Sequence, residues 1–399
     1  MNINFNIGKN SSKLNSNNSD NNGTTPVKND NNDMKKKMIK FMGVIVIGTI
    51  ILLLIIFILS LFTKKEYSYE DIETVLQSAA KSYFKDHKDS LPTAEDQIVE
   101  IDAANLIAEE RMKDLSEYTK EGVVCTGRVQ VQKVSSEYVY TPYLSCGEDY
   151  ITQELYKVVT TKEKVVTSGY GLYSIDGNYV FRGEKVNNYV KLDKGLWRIV
   201  KITANNNIVL IKDEEAGQPL SWDDRYNQDT IYASGINTYS ASRIKDTLED
   251  LYNNPKSKDD EFLSKTDKTK IVSYNVCTAK RATNEVGSDN TIECSEVLKD
   301  QKVGLLTASD YIRASIDPNC TSTASRSCQN YNYLTSGYSW WLGTAVKENT
   351  SEVYSINDNG KIESGVASGY ASIRPVIYLN DKVGYKSGKG TAEKPYKIK

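Results

Sequence analysis

Six cysteines, at positions 125, 146, 277, 294, 320 and 328, are the first residues in this chain whose type and spacing invite chemistry. All lie beyond a long apolar run near the N-terminus. An even number in such a position reads as disulfides formed in an oxidising compartment. Short loops favour the nearest-neighbour pairing Cys125–Cys146, Cys277–Cys294 and Cys320–Cys328, one of fifteen connectivities that six cysteines allow. A bridge closing about 15–20 residues contributes roughly 3 kcal/mol through loop entropy. The rival use of cysteine is metal binding. No pair has the C-x₂-C spacing of a zinc site, and His87 is the only histidine, so neither metal nor cofactor is expected. His87 falls at a helix end beside Asp86, Lys88 and Asp89, where a solvated imidazole is ordinary. One histidine so placed supports no nucleophile–base arrangement.

Three short motifs have to be set aside. Ser78-Ala79-Ala80-Lys81, Ser288-Asp289-Asn290 and Lys386-Ser387-Gly388 resemble, in order, the S-x-x-K, S-D-N and K-T-G set of penicillin-recognising enzymes. Ser78, however, sits inside an amphipathic helix directly after the apolar run, with no room for the structure that must precede such a nucleophile. Ser242 and Lys245 make a second S-x-x-K by chance. Ser355 to Gly360 resembles the start of a calcium loop, but the twelfth position is Val366, not a bidentate Glu. Leu91-Pro92-Thr93-Ala94 lacks the Gly of a sortase signal.

The element that must position everything else is Phe41 to Phe62, 22 residues without charge or proline. As a helix it spans about 33 Å, against a hydrocarbon core of about 30 Å. Its length and the 40 residues before it predict an uncleaved transmembrane helix, not a signal peptide. Residues 1–40 read as a disordered tail, Asn/Ser/Asp-rich up to residue 33. Lys35, Lys36, Lys37 and Lys40 crowd the N-terminal side of the run, which predicts a cytoplasmic N-terminus and extracellular C-terminal domains. The chain carries a net charge of -2, but with the basic tail and Lys64–Lys65 removed the remainder is about -8. The expected partner is therefore the membrane and not nucleic acid. The 27 tyrosines against 7 phenylalanines fit either the codons of an AT-rich genome or a Tyr-rich binding surface.

Ile72, Val75, Leu76, Ala79, Ala80, Tyr83 and Phe84 recur at helical spacing, with Ser68 and Asp71 as a capping box. A second helix is expected from Asp102, carrying Leu106 and Ile107. Cys125 to Cys146 alternates as a β-hairpin turning near Ser135–Glu137. The layout of residues 41–150 resembles a type IV pilin or pseudopilin. That family carries a Glu inside the apolar run; here Val44 to Thr49 has none, so the resemblance implies a pilin-like α+β stalk (66–150) without pilus assembly. Residues 151–167 are polar and Thr/Lys-rich and read as a linker.

Strands are predicted at Tyr170–Ile175 and Asn178–Phe181 around an Asp176-Gly177 turn, and at Tyr189–Leu192, Trp197–Ile202, Ile208–Lys212, Val303–Leu306, Tyr338–Leu342, Val353–Ile356 and Ile373–Leu379. Helices are predicted at Ser240–Asn254 and, capped by Thr307 with Asp310 closing the box, at Ser309–Ala314. A Trp-Arg strand (Trp197-Arg198), a Trp-Trp-Leu strand (Trp340 to Leu342) and a closing Ile373-Arg374-Pro375-Val376 strand, in this order, resemble a family of bacterial surface domains of unknown function. That family is similar to the C-type-lectin-like fold of formylglycine-generating enzymes. The resemblance covers 168–399 and implies a β-rich lectin-like head. It singles out Trp197, Trp340, Trp341 and Arg374, either as core or as a ligand-binding platform. The flanks of a catalytic cysteine pair and the lectin Trp-Asn-Asp triplet are absent. The chain as a whole reads as α+β: a membrane-anchored, non-catalytic ectodomain for adhesion or binding of a glycan or surface protein. The alternatives are a structural component of an envelope assembly and an extracellular enzyme.

Overall fold

The computed structural model describes residues 31–62, 67–94, 97–134, 137–229, 234–258 and 260–399. They form a mixed α+β structure in two compact units, 1–65 and 66–399.

The first unit is the helix α1 (Asn31–Phe62). Its stretch Met34–Ile55, with mean hydropathy 2.7, is long and apolar enough to cross a membrane. Phe41 and Leu53 are 68% and 64% exposed, so the chain itself does not cover them. A helix apolar all round needs lipid or a buried position, which fits a membrane anchor or a signal sequence. The tail expected to be disordered to residue 40 is helical from Asn31. Met34 to Lys40 are good helix formers, and extending a helix costs far less than nucleating one. Residues 1–30 lie outside the described residues.

The second unit holds two hydrophobic cores. In the smaller, α2 (Tyr69–Asp86) starts at the Ser68–Asp71 capping box and buries Ile72, Leu76, Ala79, Ala80 and Phe84. These pack on an antiparallel sheet of β1 (Ile98–Asp102), β2 (Thr126–Val134) and β3 (Glu137–Ser145), in that order, with α3 (Ala103–Ala108) beside it. Val129 faces Pro142 and Val131 faces Tyr140 across the hairpin, and both valines are fully buried. Strand β1 was not expected; its five residues are too few for alternation to stand out.

The expected linker 151–167 is a correction. It contains α4 (Leu155–Lys162), whose Leu155, Val158 and Val159 are buried in the larger core. Three apolar side chains on one helical face suffice to dock it, however polar the flanks.

The larger core lies around an eight-stranded sheet. Its strands are β4 (Gly171–Ile175), β5 (Asn178–Arg182), β6 (Tyr189–Leu192), β7 (Gly195–Ile202) and β8 (Ile208–Lys212), completed later in the chain by β16 (Val376–Leu379), β17 (Tyr385–Ser387) and β18 (Tyr396–Ile398). The main path runs β16-β8-β7-β6-β18-β17, with β5 also on β7 and β4 on β5. Strand β8 is buried at all five positions, as expected of a central strand. Asp176 and Gly177 both have positive φ, 50° and 75°, the backbone a two-residue hairpin turn requires.

Between β8 and β16 lie β9 (Leu220–Ser221), α5 (Arg243–Asn253), α6 (Lys265–Lys268), β10 (Tyr274–Cys277), β11 (Val297–Gln301), α7 (Ala308–Ala314), β12 (Trp340–Ala345), β13 (Glu352–Ile356), β14 (Ile362–Val366) and β15 (Tyr370–Ala371). β12 to β14 form an antiparallel sheet, and β10 pairs with β11. Val303–Leu306 is no strand of its own; Gly304 makes one bridge to Val376 while Val303, Leu305 and Leu306 are buried. The disulfides join Cys125–Cys146, Cys277–Cys294 and Cys320–Cys328.

Candidate functional site

Where the smaller core meets the larger, a cavity of about 390 Å³ opens between α2, the β2–β3 hairpin, α6 and the segment after β16. The amphipathic pattern of α2 builds one wall. Leu76 and Ala80 face the core, which leaves Gln77 and Lys81 on the groove side. Gln77 Nε2 donates to the Tyr140 carbonyl at 2.7 Å and pins the helix to β3. Lys81 Nζ lies 3.4 Å from Gln77 Oε1 and 5.8 Å from the Tyr140 ring centroid. Tyr138 and Tyr140 line the same wall.

The opposite wall comes from Lys265, Thr266, Thr269 and Lys270. Ser264 caps α6 by accepting from the Asp267 amide. Asp267 in turn accepts from the Asp193 amide at 3.0 Å, so the short helix is tied to the turn after β6. Asn380 and Lys382 close the groove. Asn380 Nδ2 donates to Gln132 Oε1 at 3.1 Å, joining the two sides.

Five lysines line this cavity (81, 265, 270, 382 and 399) against one acid, Glu137. Two are neutralised in place: Lys382 by Asp381 at 3.1 Å, and Lys399 by the buried Glu73. Lys270 is half-buried, and burial pushes its ammonium below the ordinary lysine range despite Asp267 and Asp193 nearby. The molecule thus holds a cation in a partly desolvated position, at some cost to stability. An adjoining cavity of about 360 Å³ shares Gln77, Thr266, Lys270 and Lys399 and adds Lys191 and Lys386, with acids among its lining. Together they form a solvent-open trough, basic along one part, on a region that is acidic overall.

The residues singled out either as core or as a ligand platform are elsewhere, and their burial matches the core alternative. Trp197, Trp340, Trp341 and Arg374 are 0%, 0%, 3% and 1% exposed. Trp341 Nε1 donates to the Leu220 carbonyl at 2.9 Å. Arg374 stacks on Trp340 at 4.9 Å and donates to the carbonyls of Lys212 and Leu334 at 2.9 and 2.8 Å. They join β7, β8, β12 and the segment before β16, and burial of large rings is what holds them there. Arg374 also accounts for the Arg-Pro pair: Pro375 has no amide to give the sheet, yet its carbonyl accepts from Lys212 at 3.0 Å.

His87 stacks on Tyr83 at 4.1 Å with its Nδ1 3.0 Å from the Tyr83 carbonyl oxygen. The three penicillin-type motifs fall in separate settings: Ser78 is exposed on α2, Asn290 is buried beside Asp310, and Lys386 is in β17. Asp310 does not close the expected capping box. The Thr307 side chain accepts from the Asp310 amide, and the Asp310 carboxylate accepts from Lys201, Asn290 and the Thr307 hydroxyl. Among the described residues no three His, Cys, Asp or Glu side chains form a group that could hold a metal ion. The lysines of the groove were missed in the sequence. A signal was present in the Lys/Thr-rich run Lys265 to Lys270, but nothing local says that Lys81, nearly two hundred residues earlier, faces it.

Residues 205–381 match a family described as a domain of unknown function, DUF6273. The match takes in α5, α6 and the strands β9 to β16, hence the Lys265–Lys270 wall and Asn380, but not α2 or β3. No curated protein and no solved structure matches the chain.

Proposed function

We propose that this protein is a membrane-anchored, extracellular binding protein whose groove between a pilin-like stalk and a lectin-like head holds an anionic polymer. The ligand class is a sugar or polyol chain bearing phosphate or carboxylate groups. The observation that carries the reading is the placement of Lys81, Lys265 and Lys270 around one open cavity in a region of net negative charge. Tyr138, Tyr140 and the threonines offer the stacking faces and hydroxyl partners that a polyol chain uses. The apolar N-terminal helix and the three disulfides support a tethered position in an oxidising compartment, with the lysines before the span on the cytoplasmic side. Among the described residues that line the groove none is a nucleophile with a paired base, and the reading taken is binding.

The test is titration of the full chain, in detergent, with poly(glycerol phosphate), hyaluronan and neutral dextran. Binding of one or both polyanions, weakening as salt is raised, and no binding of dextran is the expected result. Equal affinity for all three, or polyanion affinity left unchanged by charge reversal at Lys81 and Lys265, refutes the proposal.

A further inference from the structure

Inside the larger core, away from the groove, Lys201 on β7 meets Asp310 in the first turn of α7 and Asn290 from the loop between Cys277 and Cys294. Lys201 Nζ donates to Asp310 Oδ1 at 2.7 Å, and Asn290 Nδ2 donates to the same oxygen at 2.8 Å. The two nitrogens are therefore no farther apart than those two bonds laid end to end. Thr307 Oγ1 lies 2.5 Å from Asn290 Oδ1 and 3.1 Å from Asp310 Oδ2, so its one hydrogen can serve either acceptor, the Asn290 oxygen being the nearer. All four side chains are in or against the core: the side chains of Lys201 and Asp310 are 13% and 9% exposed, and Asn290 and Thr307 are 8% and 7% exposed. A cavity of about 90 Å³ adjoins them, walled by Tyr274, Val276, Leu305 and Tyr378. Asn290 holds φ 66°, in the left-handed region that Asn enters more readily than most residues.

A buried ion pair alone would need no carboxamide so arranged. Asn290 has its oxygen polarised by a hydroxyl, its nitrogen on a carboxylate, and a primary amine on the same carboxylate. That is the set of groups needed for aminolysis of an amide. We propose that Lys201 and Asn290 form an intramolecular isopeptide bond, with Asp310 as the proton shuttle. Burial opposes both charges, yet their mutual attraction holds the Lys201 ammonium above and the Asp310 carboxyl below their ordinary values, so the pair rests charged and the reaction requires a proton to pass from Nζ to Asp310, which leaves a neutral amine beside the carboxamide. The amine nitrogen attacks Asn290 Cγ, and the Thr307 hydroxyl stabilises the charge that develops on Oδ1. Asp310 delivers its proton to Nδ2, the Cγ–Nδ2 bond breaks to release ammonia, and the proton shed by the attacking nitrogen passes through Asp310 to that ammonia, which departs as ammonium. The ammonium of Lys201 and the amide of Asn290 thus become one secondary amide and one ammonium ion, and Asp310 ends as the carboxylate it began. The product ties the central sheet to the loop already stapled by Cys277–Cys294.

The test is mass spectrometry of the full chain, purified, reduced, alkylated and digested. The expected result is a cross-linked peptide pair containing Lys201 and Asn290, lighter than the two linear peptides by one ammonia. Lys201→Arg and Asp310→Asn variants should show only the linear peptides, with circular dichroism reporting whether each has folded. The wild-type chain settles the matter without them. Linear peptides alone in the folded wild type overturn the proposal, as does a pair lighter by one water, which would assign the bond to Asp310.

Discussion

Glu293→Ala is the perturbation with the most direct consequence. Glu293 and Arg281 are both fully buried. Arg281 Nη1 donates to Glu293 Oε1 at 3.2 Å and to Ser309 Oγ at 2.9 Å, while Nη2 donates to the carbonyls of Glu285 and Gly287 at 2.8 and 2.6 Å. Glu293 also accepts from the Ser309 amide at 3.1 Å and the Ser309 hydroxyl at 2.6 Å. Alanine here strips the carboxylate from a guanidinium that has no route to water and leaves the Ser309 amide unpaired. Breaking a buried pair in this way costs about 3–5 kcal/mol, a large part of the roughly 5–15 kcal/mol that holds a domain together. At roughly 2–4 °C per kcal/mol for chains of this order of size, the midpoint of thermal unfolding should fall by about 6–20 °C. The check is differential scanning calorimetry of the wild type, Glu293→Ala and the double variant Arg281→Met/Glu293→Leu. The double variant should recover most of the loss, since apolar residues of similar volume need no partner. A loss under about 1 kcal/mol for Glu293→Ala, or a double variant as unstable as the single, would show that water reaches the pair and that the network reasoning is wrong.

Charge reversal in the groove, Lys81→Glu or Lys265→Glu, should weaken polyanion binding roughly two- to thirtyfold, because each replaces an exposed ion contact of about 0.2–1 kcal/mol with a repulsion of similar size; titration at two salt concentrations checks it. Lys270→Met should lower that affinity too but raise stability at neutral pH. The folded-state value of Lys270 lies below the unfolded one, so the charged side chain opposes folding below its folded value, and the penalty fades as pH rises through the ordinary lysine value of about 10.4. Urea unfolding at pH 7 and pH 10.5 should show the variant's advantage shrinking. Trp341→Ala should cost about 3–5 kcal/mol and leave polymer affinity of the folded fraction unchanged; a selective loss of binding would return this residue to a ligand site. Replacing Cys277 and Cys294 by Ser opens a loop with a sequence separation of 17 and should cost roughly 3 kcal/mol by the loop-entropy estimate, read in the same unfolding assay.

Periodicity made much of the architecture legible. Helix α2 and its capping box, the 125–146 hairpin, the Asp176-Gly177 turn and strands β6 to β8 all follow from local spacing, because their buried faces are written at fixed intervals in the chain. The failures share a cause. Strands β1, β10 and β11 and helix α4 are short, and their few apolar side chains are buried by partners far along the chain. Trp197, Trp340, Trp341 and Arg374 were conspicuous by residue type, but type alone cannot separate a ring that faces solvent from one that fills a core.

Taken alone, the amino-acid sequence determined the apolar helix, the even set of six cysteines beyond it and the α+β character. These depend on composition and on spacings of a few residues. Only the tertiary structure decided where charge gathers. Lys81 meets Lys265 and Lys270, and Lys201 meets Asn290 and Asp310, because sheet order and helix docking bring distant segments together. Electrostatic and hydrogen-bonding chemistry acts over a few ångströms of space, and no local pattern in the chain records that distance.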